Sequence, residues 1–217
     1  MDLASLFALA WPMLLKGTGY TLLFAVASMI FGLPLAGLVT LIRVLQVWGL
    51  SSLMALYVSV IRGTPLLVQI FIFYYGLPSV GIELSPITAG ILTLTLNVAA
   101  YMSETLRGSI NAVTQGQWQA GTSLGLTRDQ TLRYVVGPQA LRAAVPSLSN
   151  SLISLIKDTS LVSVIAVTEL MLATKELIST TFQPFPLYLA AAAIYWVLSL
   201  SFEQIQRWME KRVAYPY

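Results

Sequence analysis

The amino-acid sequence predicts an all-α integral membrane protein with five transmembrane helices. Three observations lead there. Of the 217 residues, 57% are hydrophobic and only 10% are charged, whereas a soluble domain carries about 25% charged residues to face water. The mean hydropathy is +0.77. The apolar residues also fall into five stretches, each near the roughly 20 residues that cross about 30 Å of hydrocarbon.

The first span is expected at 18–43, where Tyr20 to Ile42 is free of charge between Lys16 and Arg43. It is too long for a secretory signal peptide, and no small-residue cleavage site follows it. The second, 53–76, is interrupted by Arg62-Gly63-Thr64-Pro65. Pro65 removes a backbone donor and predicts a kink after Arg62. The third, 86–106, ends around Glu104 and Arg107. The fourth, 146–168, opens at Pro146, a residue suited to a first helical turn, and carries Lys157-Asp158. The fifth, 186–206, precedes a charged tail. The only sizeable soluble segment is the loop 107–142. No repeat, low-complexity tract or separate soluble domain is visible, so 1–217 reads as a single transmembrane domain.

Five spans put the termini on opposite sides, and the loop charges choose which. With the N-terminus outside, the inner segments hold Arg43, Arg107, Arg128, Arg133, Arg142, Arg207, Lys211 and Arg212, against only Lys16 and Lys175 outside. Basic residues concentrate on the cytoplasmic side, so the C-terminus and the loop 107–142 are placed in the cytoplasm. Trp11, Tyr74, Tyr75, Trp196 and Trp208 stand near span ends, as interfacial anchors do. The net charge of +3 is thus explained by the membrane-facing loops, without nucleic acid. The chain contains no cysteine and no histidine. That excludes disulfides, thiolate metal sites, Cys nucleophiles and His-based acid–base chemistry.

The loop reads as structured. Gln117 to Leu124 suits a short helix, with Gly125 as its left-handed stop. Thr127-Arg128-Asp129-Gln130 matches a capping box that opens a second helix. Small residues at Ala120, Gly121 and Ser123 would permit close approach by a partner surface. The bland alternative is an interfacial linker. Within the spans, polar groups are costly in lipid and face a cavity or a partner. Thr93, Asn97, Tyr101 and Glu104 fall on one face of span three, and Ser147, Ser151, Ser154 and Asp158 on one face of span four, with Asn150 beside them. These stripes fit the wall of a path, or tight helix packing. Arg62 and Lys157 lie deep enough to need acidic partners, for which Glu104 and Asp158 are available. A structural ion pair is one reading of Arg62; a grip on a substrate carboxylate is the other.

Several of these segments resemble one family. Gln119-Ala120-Gly121, Gly125 and Val136-Gly137-Pro138-Gln139-Ala140 are similar to the cytoplasmic loop of ATP-binding-cassette importer permeases, whose pattern is Glu-Ala-Ala, a Gly four residues on, then hydrophobic-Leu-Pro. Arg62 to Gln69, Glu104 to Gly108, Gly116-Gln117-Trp118 and Leu155 to Val162 are similar to its polar amino acid branch, co-linearly from Gly17 to Trp208. Three positions depart: Gln119 stands for the usual Glu, Gly121 for the second Ala, and Gly137 for Leu. The lost acid removes any salt bridge from residue 119 to an ATPase and leaves the helix–bend–helix shape.

The resemblance implies a type I importer permease in a bacterial cytoplasmic (inner) membrane. It implies a second permease subunit, for which a homodimer is favoured, two cytosolic ATPase subunits and an extracytoplasmic amino-acid-binding protein. This chain has no phosphate-binding loop, so the chain itself is no enzyme, and ATP and Mg belong to the partner ATPase. The candidate substrate path comprises Arg62, Gln69, Asn97, Tyr101, Glu104, Ser154 and Asp158. The candidate ATPase coupling residues are Gln117, Trp118, Gln119, Ala120, Gly121 and Gly125. Tyr74 to Pro78 with Gly81 to Leu84, and Leu96 to Tyr101, look most like cystine permeases and next like glutamine permeases. Glutamine or a basic amino acid is therefore the alternative substrate. A passive channel or ion-coupled carrier is the alternative class, opposed by the structured basic loop and by the lack of an inverted repeat. A purely structural subunit would leave both the loop and the polar stripes unexplained.

Overall fold

The structure, a computed structural model, describes residues 2–213 apart from the side chains of 209, 212 and 213. The side chain of Arg212, counted above among the inner basic residues, is among those left undescribed. All regular structure among the described residues is helical.

Helix α1 runs from Leu3 to Val44. Its N-cap Asp2 accepts from the Ser5 hydroxyl and amide, which holds the Asp2 carboxyl below the usual carboxylate range. At 42 residues and 1.5 Å per residue, α1 is about 63 Å long, twice a hydrocarbon core. It therefore begins well before the expected start at residue 18. The cause is non-local: Leu6, Ala10 and Leu14 are fully buried against Leu170, Leu177 and Leu187, so tertiary packing carries the helix through Pro12.

Helices α2 (Leu50–Gly63) and α3 (Leu66–Phe71) replace the expected single span at 53–76. The chain bends by 108° between α2 and the segment Leu66–Val80 that α3 opens. The expected kink is thus a full break, with Thr64 extended at φ −119°, ψ 147°, the conformation that a following proline imposes. Beyond Phe71 the chain continues through a π turn, Ile72–Gly76, and a 3₁₀ turn, Leu77–Val80.

Helix α4 (Pro86–Ala112), with Ser85 as N-cap and Pro86 in its first turn, is the central post. It packs on α1, α2, α3 and α7 (Gly137–Asp158). The α1–α4 contact is close: a Cβ at Gly32 would stand 2.6 Å from Val98 Cγ1. The main core gathers Phe24, Leu94, Met102, Ile156 and Ile165 around this post.

The loop supplies α5 (Gln115–Ser123) and α6 (Arg128–Thr131), and a π turn, Leu132–Val136, leads directly into α7. The fourth helix therefore starts at Gly137 and ends at Asp158, not at 146 and 168. Pro146 lies inside it. Residues Thr159–Ile165 form a 3₁₀ segment ended by left-handed Ala166, φ 60°. Helix α8 (Leu170–Thr181) occupies a stretch expected to be plain outer loop, and α9 runs from Pro184 to Val213. Among the described residues α1, α4 and Pro184–Trp208 of α9 are long and apolar enough to cross a membrane, and the α2–α3 pair adds a fourth if counted as one span. Helix α7 has 22 residues, and its polar face sets it apart from that group.

Candidate functional site

Two polar centres lie at and beside the α2–α3 break. In the first, Glu104 of α4 is shared by three guanidinium groups. Arg107, one turn on, holds it bidentately, with Nη2–Oε2 2.7 Å and Nε–Oε1 3.2 Å. Arg43 from the last turn of α1 donates to Oε1. Arg62 from the end of α2 stands further off, 3.7 Å from Oε2. Three guanidinium groups to one carboxylate leave two positive charges uncompensated. Arg62 also lies over the Tyr101 ring, 5.3 Å from its centroid, a cation–π geometry. Its side chain is 42% exposed, against 17% for Glu104, so it keeps donors free to turn outward.

The second centre is the break itself. Pro65 leaves the carbonyls at the end of α2 without their helical partners. Gln69, only 4% exposed, reaches back and satisfies them. Its Nε2 donates to Ile61 O at 2.7 Å and to Thr64 O at 3.1 Å, with Thr64 Oγ1 at 3.0 Å. Its Oε1 accepts from Asn97 Nδ2 at 3.0 Å. One amide thus caps the broken helix and ties it to α4. Tyr57 adds a second tie, donating to Leu96 O at 2.6 Å.

Of the expected path residues, the structure brings Arg62, Tyr101 and Glu104 together, and Gln69 with Asn97. Ser154 and Asp158 lie on α7 with no hydrogen bond or ion pair to either centre. On α7, Ser147, Asn150, Ser154 and Lys157 are exposed, and Ser151 and Asp158 half-buried. Thr93, grouped with Asn97 by spacing, is instead buried and donates to its own helix at Ala89 O. The acid that Arg62 finds is Glu104, not Asp158. Sequence reasoning missed Arg43 as a Glu104 partner, although the two stand at the same end of the first and third apolar stretches. It also missed Glu169, fully buried. That carboxylate caps α8 through the Met171 and Leu172 amides at 2.9 Å and accepts from Tyr195 Oη at 2.8 Å. The signal was a lone acid directly before an apolar run.

The loop is a compact two-helix corner. Gly125 is left-handed at φ +77°, and the bend is closed by Leu126 N to Gly121 O at 3.1 Å and Gly125 N to Thr122 O at 2.9 Å. The Thr127–Gln130 capping box is present in both directions. Gly121 turns inward: an added Cβ would lie 2.5 Å from Thr131 Cγ2 and 2.7 Å from its Oγ1. It therefore serves an internal contact with α6, which corrects the expectation of a small residue facing a partner. Gln119 and Ala120 are exposed, and Trp118 packs half-buried against Ile110, Leu132 and Val136. Gln117 Oε1 accepts from Gln139 at 3.0 Å, on the wall of an open cavity of about 1070 Å³ that reaches Tyr134 and Glu210. At Gly137 a Cβ would stand 2.6 Å from Leu132 O, so glycine in place of the usual Leu lets the π turn close.

Residues 32–215 match the family model described as binding-protein-dependent transport system inner membrane component. The chain is 43% identical over 204 residues to the L-cystine transport system permease protein TcyB of Bacillus subtilis (strain 168), covering 94% of this chain and 87% of that protein. It is 36% identical over 206 residues to the glutamine transport system permease protein GlnP of Escherichia coli (strain K12), covering 94% of each. Among solved structures, an amino acid ABC transporter crystallised with histidines superposes with a TM-score of 0.92 at 33% identity, over 98% of this chain and 99% of that one. The MetNI methionine ABC transporter shares the fold, with a TM-score of 0.77 at 19% identity over 94% and 97%.

Proposed function

This chain belongs to the family of binding-protein-dependent transport system inner membrane components, and on that premise we propose that it is the permease subunit of an ATP-driven importer of polar amino acids, with cystine as the favoured substrate. The observation that carries the substrate is the 43% identity, across 94% of the chain, with a cystine permease. The glutamine permease at 36% supplies the second reading.

In this reading a single permease domain crosses the inner membrane five times, counting the α2–α3 pair and α7 each as one crossing. The N-terminus lies outside and the loop in the cytoplasm. Two copies pair through their α4, α7 and α9 sides, which brings the exposed polar face of α7 against a shared path. Ser154 and Asp158 line that path from α7, and Arg62, Gln69, Asn97, Tyr101 and Glu104 from the break. Arg62, with donors left over by Glu104, meets a substrate carboxylate, and Asp158 meets its ammonium group. The Gln69 amide holds the break open without leaving bare carbonyls, which lipid would penalise. Gln117, Trp118, Gln119 and Ala120 form the surface on a cytosolic ATPase. Gly121 and Gly125 act one step behind, by fixing the corner that carries that surface. ATP and Mg sit on the two ATPase subunits, and a separate binding protein delivers the amino acid from outside.

The test is uptake by the permease, its ATPase and its binding protein reconstituted in liposomes. Radiolabelled cystine should accumulate only with ATP, and unlabelled glutamine in tenfold excess should compete weakly. Accumulation without ATP would establish a channel or carrier; effective competition by glutamine would transfer the substrate to the second reading.

A further inference from the structure

At the cytoplasmic ends of α1 and α4 lies an open cavity of about 540 Å³ whose three arginines the transport reading leaves without a ligand. Arg43 enters it from α1, Arg107 from α4 and Arg128 from the first turn of α6, and the Trp118 indole forms part of its wall. Glu104, which holds Arg43 and Arg107 and is shared with Arg62, is not among the lining residues. Among the described residues Arg128 donates only to a backbone carbonyl, Val44 O, at 3.4 Å. The cavity is therefore a concentration of guanidinium groups with one carboxylate behind it.

A second space adjoins it. Ile110 lines both the basic cavity and a mainly apolar cleft of about 500 Å³ running past Gly37, Leu41, Leu106 and Leu132, with one acid and one base, Asp129 and Arg133, also in its lining. Gly37 and Leu41 belong to the uncharged stretch of α1. Gly37 lies six residues before Arg43, about 9 Å along the helix toward the hydrocarbon. A Cβ at Gly37 would meet nothing within 4 Å, so the cleft is open there. Leu41 is 47% exposed among the described residues, so half of its side chain is left for an apolar ligand. The combined shape is a cationic head site at the membrane boundary leading into an apolar tail site at membrane depth.

We propose that these two spaces hold one anionic phospholipid of the inner leaflet, its phosphate among Arg43, Arg107 and Arg128 and one acyl chain in the cleft beside Gly37. Guanidinium groups bind phosphate through paired charge-assisted hydrogen bonds. The cytoplasmic leaflet is the anionic one, and basic pockets between spans on that side suit such headgroups. A soluble anion would use the arginines and ignore the cleft; an acidic protein segment would have no use for a tail site at membrane depth. The bound phosphate would offset the charge excess around Glu104. It would also tie Arg128, and with it α6 and the α5 corner, to the end of α1.

The test is native mass spectrometry of the assembled importer, delipidated in detergent and titrated with dioleoyl-phosphatidylglycerol, dioleoyl-phosphatidylcholine or glycerol 3-phosphate. Phosphatidylglycerol should bind at least tenfold more tightly than phosphatidylcholine, and glycerol 3-phosphate far more weakly than either acylated probe. Arg128→Gln removes one phosphate contact from an exposed residue and should weaken phosphatidylglycerol about tenfold. Gly37→Phe should fill the tail site and weaken phosphatidylglycerol similarly, with cystine uptake and assembly used to verify folding. Equal binding of the two lipids, or wild-type affinity in both variants, overturns the proposal. Glycerol 3-phosphate binding as tightly as phosphatidylglycerol makes it a soluble-anion site. Phosphatidylglycerol binding by the permease measured without its ATPase, absent from the assembled importer, overturns the proposal and makes the space part of the protein interface. Failure of cystine uptake with lipid binding intact would count against the transport reading alone.

Discussion

Gly121→Ala tests whether the loop corner is a mechanical part. The added Cβ would lie 2.5 Å from Thr131 Cγ2 and 2.7 Å from Thr131 Oγ1, where carbon atoms prefer roughly 3.5–4.0 Å. Helix α5 must lift from α6 by roughly 1 Å or Thr131 must leave its place, and such overpacking costs about 1–3 kcal/mol. Alanine returns up to about 1 kcal/mol of helix propensity, so the net loss is about 1–2 kcal/mol. The strain falls on the bonds that close the bend, Leu126 N to Gly121 O and Gly125 N to Thr122 O. Their amides should exchange hydrogen about tenfold faster, since 1.4 kcal/mol is a factor of ten.

Thr131 makes the experiment internally controlled. Its Oγ1 is buried without a hydrogen-bond partner, so Thr131→Ala alone should be close to neutral. In the double variant the nearest atom left is Thr131 Cβ at 3.1 Å, which a shift of a few tenths of an ångström relieves. The cycle should therefore show a favourable coupling of about 1 kcal/mol. Substrate-stimulated ATP hydrolysis and uptake should fall in Gly121→Ala and recover in the double variant. Wild-type exchange and transport in Gly121→Ala, or a double variant no better than the single, would refute the corner's role.

Four further outcomes follow from the same geometry. Gly125→Ala meets no atom within 4 Å, so its loss of about 1 kcal/mol is purely the left-handed backbone penalty; hydrogen exchange at 124–126 should rise without rescue by Thr131→Ala. Glu104→Gln strips three arginines of their carboxylate and should cost about 2 kcal/mol as charge-assisted bonds are lost, read as a lowered thermal midpoint in detergent. Gln69→Leu leaves the Ile61 and Thr64 carbonyls and the Asn97 amide without their partner, at about 1–3 kcal/mol for each group that stays buried; the thermal midpoint should fall further than in Asn97→Ala. In this cysteine-free chain, Ser154→Cys should react with a water-soluble thiol reagent in the assembled importer while Thr93→Cys, 1% exposed at that position, stays protected; an unreactive Ser154→Cys in every nucleotide state would make the α7 stripe a packing face.

What the sequence disclosed follows the reach of each interaction. The left-handed Gly125 and the Thr127–Gln130 capping box were legible because each depends on four or five adjacent residues. Pro65 was legible as a site of bending, but not the 108° between α2 and the segment that α3 opens. That angle persists because Gln69 caps the freed carbonyls from beyond the break, a side-chain contact with no periodic signature. Pro146 misled for the complementary reason. The missing donor suits a first turn, but Pro138 fills that place directly after the π turn at Leu132–Val136, and Pro146 falls inside the helix that starts there. The start of α1 at Leu3 depended on α8 and α9, which lie more than a hundred residues away.

The candidate site divides along the same line. Residue type and depth singled out Arg62 and Glu104, because a charge inside an apolar stretch has few tolerable environments. Depth alone could not choose their partners. Arg43 and Glu104 are 61 residues apart, and they meet where Gly32, about three turns before Arg43 on the same helix, lets α1 approach α4 closely enough to set the register. Gly32→Leu should therefore disturb a charge cluster it does not touch: with Val98 Cγ1 2.6 Å from its Cβ, it pushes α1 outward and takes Arg43 from Glu104. The register between two apolar helix faces thus decides that Arg43 reaches the carboxylate, while Arg62, from α2, stands further off at 3.7 Å.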